Sequence, residues 1–261
     1  MSESLVVHDV AALRNLGVLS RKAVALDASA LLRVRPRTTD GFGETGVARV
    51  WATTPFGPLA CRTIAVSPAR ADMVVRADAV VAATGDGSAV PATDSAVPMT
   101  LDCGGGADAS WPGSLPLDDG WSLVNIVPAA ALRGLERSAR SVATEESGPM
   151  GLPTSLLDQK VLRVSPGNGG DEGEGAGESA GSGGSGAESG TGGAVAGGSG
   201  AGGDSLEITM REVFALCAMG FIPAEPSDDE PVRVARRGRW RRMDGRFGSV
   251  YASDGLGVLP I

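Results

Sequence analysis

Seven arginines fall between Pro231 and Tyr251, at positions 233, 236, 237, 239, 241, 242 and 246, against one carboxylate, Asp244. That is a local charge of +6 in a chain whose formal net charge is −8. Guanidinium groups meet phosphate and carboxylate through paired N–H donors. Trp240, set between Arg239 and Arg241, adds a ring that can stack on a base or pack inward. Arg236, Arg237, Arg239, Trp240, Arg241 and Arg242 are therefore the candidate contact residues, for an acidic protein surface or for nucleic acid.

Other chemistries find little support. The sequence holds no phosphate-binding G-x-x-x-x-G-K-[ST], no H-E-x-x-H, no D-x-D-x-D-G calcium loop and no G-x-S-x-G elbow. His8 is the only histidine and has no partner motif beside it, so a structural or exposed role is expected. Cys61, Cys103 and Cys217 are odd in number and far apart, which argues against a disulfide framework and a zinc site; each reads as a small buried hydrophobe. The carboxylate groups Asp118-Asp119, Glu145-Glu146 and Asp228-Asp229-Glu230 lie among turn residues and read as solvated acids. Cys103-Gly104-Gly105-Gly106 has the composition of a backbone nest for an anion, but with no evident strand before it or helix after it the segment reads as a loop. No catalytic, cofactor-binding or metal-binding residue is assigned.

The elements that position the arginines come next. Thr209-Met210-Arg211-Glu212 reads as a capping box, followed by Met210, Val213, Phe214 and Cys217 on one helical face. Gly220 then reads as the residue past the helix, with Phe221 packing back and Pro223 barring continuation. Val232 to Ala235 alternate as a strand, Arg236 to Arg239 turn, and Trp240 to Met243 return, giving a β-hairpin. A helix followed by an arginine-rich ribbon is compatible with a winged-helix-like end.

Upstream, Asp9 caps a short expected helix that stops at Gly17, and Leu31 to Arg35 form a strand that ends at Pro36. Residues 46–53 and 59–66 predict a hairpin, with Val47, Arg49, Trp51 and Thr53 on one face and Ala48, Val50 and Ala52 on the other. Met73 to Arg76 and Ala79 to Ala83 are further strand candidates. Residues 84–120 are poorly patterned, with Trp111 and Trp121 as anchors. A strand from Trp121 to Val127 leads into a helix striped by Leu132, Leu135, Ala139 and Val142, which leaves Arg133, Glu136, Arg137 and Arg140 solvated. A turn at 148–153, a short helix from Thr154 and a strand from Lys160 to Val164 follow. Trp51, Trp111, Trp121, Phe214 and Val232 are the expected core.

Ser165 to Asp204 is a Gly/Ser/Ala/Glu tract with six carboxylates and no Lys or Arg. It has too little apolar surface to offset ordering entropy and reads as a disordered insert. Its two G-x-G-x-x-G matches are products of glycine density. Strand-like runs flank it, at 161–164 and 206–208, so it reads as an expanded hairpin loop whose removal leaves the fold intact. The expected class is α+β: an N-terminal antiparallel sheet or small barrel, a middle helix, and a C-terminal helix plus hairpin. The expected division is 1–164, the insert 165–204, and 205–261. No run of eighteen apolar residues and no signal-peptide pattern occur, so no membrane span is expected and the cytoplasm is the expected location.

The motifs Gly148-Pro149-Met150-Gly151-Leu152-Pro153, Leu156-Leu157-Asp158-Gln159, Met219-Gly220-Phe221 and Gly238-Arg239-Trp240 with Tyr251 resemble those of actinobacterial proteins of unassigned function. The resemblance covers the second half of the chain and implies no activity or catalytic residue. The expected role is a non-enzymatic protein-binding or assembly factor. The alternatives are nucleic-acid binding through the arginine-rich hairpin and an enzyme without a recognisable motif.

Overall fold

A computed structural model describes residues 2–39, 42–85, 98–146, 153–165 and 205–254. Residues 166–204 of the 165–204 insert, with its two glycine motifs, and most of the 148–153 turn lie outside the described residues. The chain is α+β. In order it runs β1 (Ser2–Val7), α1 (Val10–Leu26), β2 (Leu31–Thr39), β3 (Phe42–Ala52), β4 (Leu59–Ile64), β5 (Val66–Pro68), β6 (Met73–Arg76), α2 (Ala77–Thr84) and β7 (Met99–Gly105). It continues β8 (Ser122–Pro128), α3 (Ala129–Glu146), α4 (Thr154–Leu157), β9 (Lys160–Val164), β10 (Leu206–Thr209), α5 (Met210–Ala218), β11 (Pro231–Arg237), β12 (Trp240–Gly245) and β13 (Gly248–Ser253).

An open, fully antiparallel sheet of eight strands carries the molecule, in the order β6-β2-β3-β4-β13-β12-β11-β8. Strands from the two ends of the chain meet where β4 pairs with β13, through Leu59 with Tyr251, Ala60 with Val250 and Cys61 with Ser249. β5, β1 and β7 form a smaller sheet, and β9 pairs antiparallel with β10, Val164 opposite Leu206, as the strand-like flanks of the insert predict. No helix among the described residues is long and apolar enough to cross a membrane.

The helices cover one side of the large sheet. Leu32, Ala52, Ala60, Val250, Met243 and Val234 stand in one cross-strand row on that side and are almost fully buried. They share a single apolar cluster with Leu16 and Leu19 of α1, Leu132 of α3 and Phe214 and Leu216 of α5. Successive residues of a strand point to opposite faces, so this row also dictates which side chains lie on the far side.

Several local expectations change. The first helix does not stop at Gly17 but runs to Leu26. Asp9 caps it as expected, its Oδ1 accepting from Ala12 N at 2.6 Å. Gly17 is buried where α1 meets α2, and a Cβ there would lie 3.3 Å from Thr84 Oγ1, so the glycine serves close helix contact. Strand β2 passes through Pro36 because β6 pairs only with Leu31 to Val34; beyond that point no other described strand pairs with that edge of β2, so the missing N–H of proline costs no ladder bond there. Residues 77–84 form a helix, α2, with Ala77, Val80 and Thr84 buried along one stripe. Cys103-Gly104-Gly105 is not a loop but the end of β7, paired with β1. It makes no anion cradle: Gly106 faces Glu3 Oε1 and Asp108 Oδ2. On α3 the buried stripe is Ala129, Leu132, Glu136, Ala139 and Ala143, while Val142 is exposed. Glu136 is buried because Arg133 and Arg140 both pair with it, and Arg133 also reaches the carbonyls of Ile222 and Pro223 at 2.9 and 3.0 Å. The C-terminal hairpin is extended by β13 into a three-stranded meander.

Candidate functional site

The far side of the sheet is built by register. Arg33, Trp51, Cys61, Ser249, Asp244, Arg233 and Ile126 are successive cross-strand neighbours in one row. Leu59, Tyr251, Arg242, Ala235 and Leu123 form the next. Here all four tryptophans of the chain and its one tyrosine collect. Trp51, Leu59, Cys61 and Tyr251 are buried at the centre, and Trp111, Leu115, Trp121 and Trp240 pack against them half-buried. Tyr251 is 4.6 Å from Trp51 between ring centroids and 5.4 Å from Trp121, the latter edge-to-face. Burial pushes the Tyr251 hydroxyl and the Cys61 thiol well above their ordinary values.

Arginines clamp this aromatic layer. Arg33 lies 5.6 Å over Trp111, Arg242 lies 4.8 Å over Trp121, and Arg239 lies 5.9 Å over Trp240. Arg33 is held by a two-pronged pair with Asp72, at 2.7 and 2.6 Å, which draws the Asp72 carboxyl below its usual range. Arg242 donates from Nε to Asp244 at 2.9 Å, and Ser249 Oγ donates to the other oxygen of that carboxylate at 2.6 Å.

The six residues singled out by sequence are divided between the two sides. Arg237, Trp240 and Arg242 face the aromatic layer, Arg237 pairing with Asp119. Arg239, in the turn, reaches Ser114 Oγ at 3.2 Å. Arg236 and Arg241 stand opposite each other on the helix-facing side. Arg241 is held there by Asp254 and, at 2.7 Å from Nε, by Glu212 Oε1. Glu212 is the expected capping-box residue of α5: its Oε2 accepts from Thr209 N at 2.8 Å and from the Thr209 hydroxyl at 2.5 Å. The far end of α5 closes as expected, with Phe221 N donating to Leu216 O, Gly220 N to Cys217 O, and Gly220 at φ 68°.

Among the described residues, two larger cavities open on the meander. One of about 590 Å³ lies between the 56–59 and 112–114 segments and is walled by Arg211, Arg239, Trp240, Arg241 and Tyr251. The other, about 480 Å³, lies where β4 and β13 part. Sequence reasoning missed Arg33, Arg49, Arg62 and Tyr251 as members of these surfaces. The alternation of β3 did place Arg49 and Trp51 away from Ala48, Val50 and Ala52. The β4–β13 pairing that joins them to the meander left no local signal.

Residues 1–104 match the model of a domain of unknown function (DUF8010), and residues 186–257 match another domain of unknown function (DUF8185). No curated protein matches the chain. Among solved structures, the β subunit of DNA polymerase III from Thermotoga maritima is 11% identical at a TM-score of 0.47, over 98% of this chain and 66% of that one. The DnaN sliding clamp from Bartonella birtlesii, bound to griselimycin, is 14% identical at 0.45, over 99% and 66%. The DNA polymerase III β chain from Streptococcus pneumoniae is 10% identical at 0.47, over 100% and 66%. The chain thus spans about two thirds of the length of each. Likenesses at this level leave its partners to be argued from its own residues.

Proposed function

We propose that this is a non-enzymatic protein-binding factor that docks an acidic protein segment on the far side of its large sheet. The observation that carries the reading is the gathering of all four tryptophans and the one tyrosine on that side, under stacked arginines. Trp, Tyr and Arg are the residues that dominate binding energy at protein interfaces, because each offers a large rigid contact with a polar tip. Leu123 and Ile126, on the same side, are 58% and 49% exposed. Branched apolar residues left this open on a strand favour contact with another protein. Arginines outnumber aspartates across the face, which selects acidic partners.

A photo-crosslinking amino acid placed at Trp240, and separately at the exposed Arg137 on α3, tests the reading in the native host. The expected result is a discrete protein adduct from position 240 and none from 137. Equal labelling from both positions, or no adduct from 240, overturns it.

A second reading, nucleic-acid binding, is favoured by one feature: Arg239 stacked on the half-buried Trp240 at the mouth of the 590 Å³ cavity, an arrangement suited to an unpaired base. It predicts binding of DNA or RNA oligonucleotides that weakens steeply between about 50 and about 200 mM salt. Salt-insensitive or absent binding removes it.

A further inference from the structure

The smaller cavity has a different character. β4 and β13 pair only as far as Cys61 and Ser249, and the notch beyond that pair is walled by Arg49, Arg62, Arg242 and Arg246, with Asp244 as the one carboxylate among its described lining residues. Three of these arginines have acidic partners. Arg49 lies 3.1 Å from Asp118, Arg242 lies 2.9 Å from Asp244, and Arg246 lies 3.4 Å from Glu230. Arg62 differs. It stands opposite Val50, on the helix-facing side of β4, with its guanidinium 5.3 Å over the Phe221 ring. Its Nε is shielded from solvent and has no hydrogen-bond acceptor among the described residues. Burial lowers the Arg62 guanidinium from its ordinary value, and no carboxylate among the described residues offsets this. Shielded polar groups in folded proteins are almost always satisfied, and a guanidinium stays charged near neutrality.

The surroundings hold this arrangement rigidly. Phe221 closes α5, and its carbonyl accepts from Phe247 N at 2.9 Å. A Cβ on Gly245 would lie 2.6 Å from that carbonyl, and one on Gly248 would lie 2.6 Å from the Phe221 ring. The 245–248 turn is therefore pressed against the residue that Arg62 covers, which fixes Arg62 and Arg246 on two walls of one notch. Phe247, 48% exposed, supplies an apolar flank.

We propose that the notch binds a phosphate monoester of a small molecule, with Arg62 as its anchor. A doubly charged tetrahedral anion accepts from Arg62 and Arg246 together, where four arginines face the three carboxylates of Asp118, Asp244 and Glu230. A volume of about 480 Å³ exceeds what a bare phosphate fills, so the ester's organic part lies along Phe247 and Tyr251. Because Arg62 comes from β4 and Arg246 from the meander, the bound anion clamps the β4–β13 seam.

The test is thermal unfolding of the full chain at constant ionic strength, with orthophosphate, pyrophosphate and glycerol phosphate as separate probes and chloride as reference. The expected result is a saturable rise in Tm, about 5–10 °C at a hundredfold excess over Kd, largest for glycerol phosphate. An equal or larger response to orthophosphate overturns the ester assignment. Arg62→Met should weaken the affinity about 10–100-fold, the loss expected for charge-assisted hydrogen bonds. Should that variant fail to fold, Arg246→Ser decides, because Arg246 is 61% exposed and its removal leaves the core untouched; it should weaken binding as well. Arg163→Ser, on the distant β9, should not. The absence of a saturable rise, or an equal rise in all variants, overturns the proposal.

Discussion

The two sides of one sheet are built from different alphabets. The helix-facing side is mainly Leu, Val, Ala, Met and Phe, nearly all of it closed to solvent, with Arg62 beside the seam and Arg236 and Arg241 at its far end as polar members. The opposite side is Trp, Tyr, Arg and Asp, with no long helix of the described chain packed across it. Both sides contain buried rings, yet the physical job differs. Aliphatic side chains fill space and hold the layers together. Aromatic rings under guanidinium groups keep polar tips at the surface, so they anchor residues 108–121 and still offer contacts to a partner. Stability should therefore concentrate on the first side and recognition on the second.

Substitutions can break that contrast. Phe214→Ala empties a fully buried site against Phe56 and should cost about 3–5 kcal/mol in denaturant melts. Glu212→Ala removes the α5 capping box and leaves Arg241, with 11% of its side chain exposed, short of its main partner; a loss of about 3–5 kcal/mol is expected. Gly248→Ala drives a methyl into the Phe221 ring and should cost about 1–3 kcal/mol, testing whether the meander turn is wedged on α5 as described. On the aromatic side the stability effects should be smaller: Arg239→Ser should lie within about 0.5 kcal/mol of the parent by the same melts. A cost comparable to Phe214→Ala would end the division of labour between the two sides.

The smallest expected effect is a pH dependence. Arg33 lowers the folded-state pKa of Asp72 below its ordinary 3.8. That pair's stabilisation is complete above the unfolded-state value and lost as pH falls through the lower folded-state one. Asp72→Asn should therefore lower stability slightly at neutral pH, by a small amount because Asp72 is 39% exposed, and converge with the parent in acid, which flattens the acid limb of the stability curve below about pH 4. An unaltered acid limb would mean that the pair clamping Trp111 contributes nothing.

Local signals in the sequence hold where the chain speaks to its near neighbours. The Thr209/Glu212 box, the Gly220 closure, the 46–66 hairpin and the Asp9 cap depend on contacts a few residues apart. Where a distant partner decides, the local signal misleads. Gly17 resembles a helix stop until α2 lies against it, and Glu136 resembles a solvated acid until Arg133 and Arg140 close over it. Residues 79–83 are β-favouring by composition but turn helical to bury Val80 and Thr84 on α1. The arginine run at 236–242 was visible as charge. Its division between two faces follows only from strand register, which also brings Arg33, Trp51 and Tyr251 alongside it.

The most direct test of the docking face is the yield of the protein adduct from a photo-crosslinker at Leu123, in the parent and in the Arg239→Ser/Trp240→Ser double variant. Leu123 is exposed and shares its side with Trp240 through the register of β8, β11 and β12. The account predicts a discrete adduct in the parent, reduced about tenfold or more in the variant, with both chains still folding cooperatively. An undiminished adduct in a folded variant, or none in the parent, would contradict it.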